Sequence, residues 1–167
     1  MPAQHDKEMK QITEQEAFFK LSAMCAAAEH CRHEMSEKMA RWQLPDDMQE
    51  RIMQRLVDEK YIDEERYCRF FVRDKIRYNK WGRRKVEQAL MMKRIPRDII
   101  SGALGEVDAE EYISVLRPLL QSKRKTIKAA SEYELSAKLI RFAMGRGFDM
   151  DIIKAVSYTH LTLPTNR

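Results

Sequence analysis

Four apolar residues, Met35, Met39, Leu44 and Met48, stand 4, 5 and 4 residues apart. The spacing returns 51 residues later at Val86, Leu90, Ile95 and Ile99, and 53 residues after that at Leu139, Ala143, Phe148 and Ile152. Each copy carries its own breaker or cap before the last position: Pro45-Asp46-Asp47, Pro96-Arg97-Asp98, and Gly147 through Asp149. Each fits a turn that runs into the first turn of a helix. An upstream helix in each copy carries an i, i+3 pair: Phe18/Leu21, Tyr67/Phe70 and Tyr112/Val115. Recurrence at about 50 residues, with matched turns, is the mark of a tandem array. The pattern predicts an all-α chain of three three-helix units, at 14–62, 63–107 and 108–156, with a flexible N-terminus at 1–13 and a separate tail at 157–167. A unit this small has too little core to stand alone. The units should therefore pack end to end into an elongated, curved monomer that offers a long surface instead of a pocket.

Composition agrees with helices. The 167 residues include only 5 Gly and 5 Pro, and 34% are charged, so the punctuation that sheet proteins use for turns is scarce. No apolar run approaches the ~20 residues of a membrane helix. The N-terminal stretch has no secretory apolar segment, and three cysteines, an odd number, build no disulfide framework, which points to a reducing cytoplasm.

Charge is distributed in blocks. Residues 1–64 hold 9 Lys/Arg against 14 Asp/Glu; residues 65–97 hold 12 against 3; residues 98–116 hold none against 5; residues 117–154 hold 9 against 4. The cationic middle exceeds the net +5 of the whole chain. On a helix starting near Asp63, Arg66, Arg69, Arg73 and Arg77 fall within one arc of ~80°. Tyr67, Phe71 and Tyr78 form a second stripe with core-facing spacing, and Asp74 within it should pair with an adjacent helix. Like charges along one arc repel unless an acidic partner or phosphates face them. The next segment, YNKWGRRKVEQALMMKRIP, adds Lys80, Arg83, Arg84 and Lys85. Here Gly82 should fix the helix start and Trp81 should pack into the core, with Arg83, Arg84 and Lys85 projecting outward. Three cations at a helix N-terminus oppose its dipole, so they are either locally compensated or used.

The stretch DEERYCRFFVRDKIRYNKWGRRKVEQALMMKRIP resembles the central repeat of the RecX regulatory proteins. KMARWQLPDDMQERIMQRLVDEKYID and KLIRFAMGRGFDMDIIKAV resemble that family's first and third repeats, so the likeness spans about residues 14–156. The resemblance implies a fold of three tandem three-helix repeats and a non-catalytic role in recombination and SOS control. In that role the protein lies along or caps the RecA filament on single-stranded DNA and suppresses ATP hydrolysis, strand exchange and coprotease activity. Arg66, Arg69, Arg73, Arg77, Lys80, Arg83, Arg84 and Lys85 are then the candidate filament-binding residues, with weak direct DNA binding as an accompaniment. The rival reading is a stand-alone helix-turn-helix DNA-binding protein, favoured by the basic helices and opposed by the acidic first third.

Other motifs carry less. Cys25, His30, Cys31 and His33 lack a second Cys/His pair at zinc-finger distance, so no metal is expected; Cys25 and Cys68 read as small buried residues. The glycines of Gly145-Arg146-Gly147 follow no strand and form no phosphate loop. Methionines sit mostly at core spacing, while Met91 and Met92 suit an adaptable interface. No nucleophile–base set is readable, and no cofactor is expected. After Val156 the Thr-rich SYTHLTLPTNR reads as foreign or disordered sequence.

Overall fold

The computed structural model describes residues 11–159. Among them are nine helices and no strand: α1 (Glu14–Ala27), α2 (Arg32–Arg41), α3 (Asp46–Asp58), α4 (Glu64–Arg77), α5 (Arg83–Met92), α6 (Arg97–Gly105), α7 (Ala109–Arg124), α8 (Glu132–Gly145) and α9 (Met150–Thr159). They form three three-helix repeats, α1–α3, α4–α6 and α7–α9. Helix α9 continues through Thr159; most of the expected tail, and residues 1–10 of the expected flexible N-terminus, lie outside the described residues.

The 4-5-4 spacing has a physical origin in the corner between the second and third helix of each repeat. The second residue past each second helix, just after its C-cap, takes a left-handed conformation: Gln43 at φ 57°, Arg94 at 56° and Gly147 at 91°. Two backbone bonds then close the helix end. The N–H groups of Leu44, Ile95 and Phe148 donate to the carbonyls of Met39, Leu90 and Ala143, and those of Gln43, Arg94 and Gly147 donate to Ala40, Met91 and Met144. This is a Schellman corner, in which the residues five apart are the pair that meets across the turn. All six of those residues are buried. The flanking steps of four are single helical turns, reaching back to buried Met35, Val86 and Leu139 and forward to Met48, Ile99 and Ile152. Pro45 and Pro96, with φ near −57°, then start α3 and α6.

The chain divides into two compact units, Met1–Tyr67 and Cys68–Arg167, the division falling within α4. In the first, α1 and α2 both pack on α3. Its core is built from Phe18, Leu21, Met35, Met39, Ile52 and Leu56, with Trp42 and Tyr61 partly buried against it. In the second, α5 packs on α6, and α7, α8 and α9 pack on one another. Its buried set includes Val72, Val86, Leu90, Leu116, Leu139, Phe148 and Ile153.

Helix α4 departs from the expected pattern. Its buried residues are Tyr67, Cys68, Val72 and Ile76, whereas Tyr78 is 74% exposed and Phe71 half-buried. Tyr78 lies one residue past the helix end, so the 3.6-residue period no longer governs it. Phe70 is 58% exposed, unlike the buried Leu21 at the matching position of the first repeat. Asp74 makes no ion pair among the described residues.

Candidate functional site

The eight cations singled out in the sequence fall into two groups. One group is consumed by the fold. Asp63 Oδ1 accepts the Arg66 N–H and caps α4, and the Arg66 side chain turns back over the preceding connection. Its Nε donates to Glu29 at 2.7 Å, and Nη2 donates to the carbonyls of Lys60 and Tyr61. Lys80, left-handed at φ 58°, donates its Nζ to the Arg77 carbonyl and so closes the C-terminal end of α4. Arg83 forms a fork on Asp149, Nε to Oδ2 at 2.7 Å and Nη2 to Oδ1 at 3.1 Å, while Nη1 reaches Glu87 at 2.7 Å. The Asp149 bonds raise the Arg83 guanidinium above its ordinary value, so the guanidinium stays charged.

The start of α5 is built by contact with the third repeat. Gly82 N–H donates to the Arg146 carbonyl at 2.8 Å, and Arg84 N–H to the Gly147 carbonyl at 3.0 Å. Two of the amides that a helix N-terminus leaves open are thereby satisfied by the α8–α9 corner. Gly82 itself has an ordinary φ of −84°. Glycine is demanded there by proximity: a Cβ would stand 2.3 Å from Phe148 N and 2.4 Å from the Gly147 carbonyl carbon. Gly82 does stand at the helix start, as the N-cap of α5, and the close approach of the 147–148 backbone is what holds that start in place. The dipole conflict of three N-terminal cations is met by local compensation at Arg83, through Asp149 and Glu87.

Trp81 also differs from expectation. It is half-buried instead of a core residue, with Lys75 Nζ 5.3 Å and Lys85 Nζ 4.8 Å from its ring centroid. Lys85 is thus drawn in over the indole, where the ring face attracts its charge.

The second group projects freely. Arg69, Arg73, Arg77 and Arg84 are exposed, and among the described residues no carboxylate lies within 4 Å of them. Arg69, Arg73 and Arg77 share the outer arc of α4, and the exposed Phe70 lies within ~20–100° of each of them around the helix. This arc is a cationic surface with an aromatic in it, suited to an extended anionic partner. The sequence pattern placed Phe70 only in an i, i+3 pair with Tyr67 and gave it no surface role; its position between Arg69 and Arg73 was the available signal.

The three cysteines are buried and none is in a disulfide; burial pushes the Cys25 thiol up to about 11 and the Cys31 thiol up to about 12, which makes both unreactive. Among the described residues no group of three His, Cys, Asp or Glu is placed to hold a metal, and no helix is long and apolar enough to cross a membrane.

Family models for the second and third three-helix domains of RecX match residues 63–104 and 110–156. A regulatory protein RecX from Chlorobium limicola is 31% identical over 127 residues, covering 75% of this chain and 77% of that protein. The chain belongs to the RecX family. The regulatory protein RecX of Clostridium perfringens strain 13 is 27% identical over 125 residues, which make up 74% of this chain and 58% of that relative, so the chain spans under two thirds of its length. Among solved structures, RecX from Lactobacillus salivarius superposes with a TM-score of 0.78 at 18% identity, over 90% of this chain and 97% of that one. Another RecX crystal structure gives 0.80 at 18% identity, over 87% and 73%. The likeness establishes the all-α, three-helix-repeat fold.

Proposed function

We propose that this RecX family member is a non-catalytic regulator of RecA in the cytoplasm. It binds the RecA filament on single-stranded DNA and restrains ATP hydrolysis, strand exchange and coprotease activity. The observation that carries the reading is the outer face of α4, where Arg69, Arg73 and Arg77 stand exposed without a carboxylate within 4 Å among the described residues. Such a face repels itself in the isolated chain and gains from a long partner with acidic surfaces and phosphates. A stand-alone helix-turn-helix reader is less well supported. The N-terminus of α5 is occupied by the Arg146 and Gly147 carbonyls, and Asp149, just before α9, is held by Arg83. Neither helix start is open to enter a groove.

The test is a time course of RecA ATP hydrolysis on single-stranded DNA with substoichiometric protein added. Turnover should fall well below that of RecA alone. Unchanged turnover at equimolar protein, with filaments visible by electron microscopy, would overturn the proposal.

A further inference from the structure

The seam between the second and third repeats concentrates positive charge on two half-buried rings. Trp81 carries Lys75 and Lys85 at 5.3 and 4.8 Å from its centroid, and Phe142 carries Lys123 and Arg146 at 4.8 and 5.6 Å. The two pairs are joined through the backbone, because Gly82, next to Trp81, donates to the Arg146 carbonyl. Lys85 also stands directly against Gly147. Sharing a ring places the cations of each pair no more than about 10 Å apart, about one Debye length, so their repulsion is only partly screened. Among the described residues, none of the four has a carboxylate within 4 Å.

We propose that this seam is a binding site for phosphate groups. Four cations exceed what one carboxylate neutralises, whereas the successive phosphates of a nucleic acid strand, about 3.4 Å apart, present several charges to such a cluster. A free polyphosphate supplies the same chemistry in a smaller molecule. The ring faces hold the ammonium groups in place, while phosphate oxygens complete the cations' remaining donors. The site is separate from the outer arc of α4, and its test contains no RecA, so it stands or falls apart from the filament reading.

Two tryptophans occur in the chain, so Trp42→Phe leaves Trp81 as the lone indole reporter. Its emission is titrated at low salt with sodium triphosphate in one arm and with single-stranded oligothymidylate in the other. A saturable change is expected, and Lys75→Met with Lys85→Met should weaken it at least tenfold. Lys154→Met, which removes the same charge from α9 outside the seam, should leave it within twofold. Equal response to both ligands identifies a polyphosphate site; response to the oligonucleotide alone identifies a strand site. No change in either arm overturns the proposal, as does undiminished binding by a double variant with unaltered circular dichroism. Should the double variant unfold, lysine acetylation of the unsubstituted protein decides. Either ligand should slow modification of Lys75 and Lys85 relative to Lys154, and equal rates with and without ligand would refute the site.

Discussion

Replacing Gly82 by alanine tests the contact that builds the start of α5. The new Cβ would lie 2.3 Å from Phe148 N and 2.4 Å from both Phe148 Cα and the Gly147 carbonyl carbon, all of them backbone atoms. Reaching ordinary contact near 3.5 Å demands a retreat of about 1 Å. The Gly82–Arg146 and Arg84–Gly147 hydrogen bonds, at 2.8 and 3.0 Å, would then lengthen beyond useful range. Two bonds at a net ~0.5–1.5 kcal/mol each, plus the cost of a donor left without a partner at ~1–3 kcal/mol, give about 2–6 kcal/mol. With a urea m-value of ~2 kcal/mol per molar, the middle of the usual range, the midpoint should drop by about 1–3 M, or the transition should split as the third repeat uncouples. Gly102→Ala is the matched control, because nothing lies within 4 Å of its Cβ on the exposed side of α6. It should stabilise by ~0.5–1 kcal/mol through helix propensity alone. Equal midpoints for Gly82→Ala and the parent protein, in a single transition, would refute the close approach.

Three further outcomes follow from burial and charge. Arg69→Glu with Arg73→Glu should change stability by only ~0–1 kcal/mol per exposed charge while strongly weakening retention on RecA filaments, and the deficit should shrink as salt is raised; equal retention at low salt would reduce the arc to a solvated face. Leu90→Ala should do the reverse, costing ~2–5 kcal/mol because Leu90 is fully buried and meets Ile95 across the corner, as a thermal melt will show. Glu64, which accepts the Arg32 N–H at 2.8 Å, has its carboxyl raised by burial, opposed by that bond. A raised carboxyl binds its proton more readily in the folded chain, so its contribution to stability is lost as pH rises through the folded value. Glu64→Gln should therefore be more stable than the parent at pH 7, with the gap closing as pH falls below the ordinary glutamate range; a less stable variant at pH 7 would refute the sign.

What the sequence revealed and what it hid follow from distance along the chain. Met39 and Leu44 are joined by a local corner, so five-residue spacing between apolar residues was enough to place every second-to-third-helix junction. Left-handed Gln43 and Arg94 were hidden, because neither is the glycine that usually marks such a position. Charge was read correctly as block composition but not as pairing. Glu29 is 37 residues from Arg66, and Asp149 is 66 from Arg83, and no local period reports such partners. The same holds for Gly82, whose neighbour is the backbone at 147–148. Tyr78 was misplaced for a local reason, since a helical stripe was continued past the end of the helix.

The carbonyls that satisfy Gly82 and Arg84 bear on how the protein breathes. Those two amides can exchange their hydrogens with solvent only when the α8–α9 corner lets go, so their deuterium uptake reports on the third repeat, some 60 residues further along the chain. Deleting α7–α9 would leave both amides bare and Arg83 without its Asp149 fork. The repeats that are units of sequence are therefore not units of opening: the second keeps its helix start closed only while the third is attached.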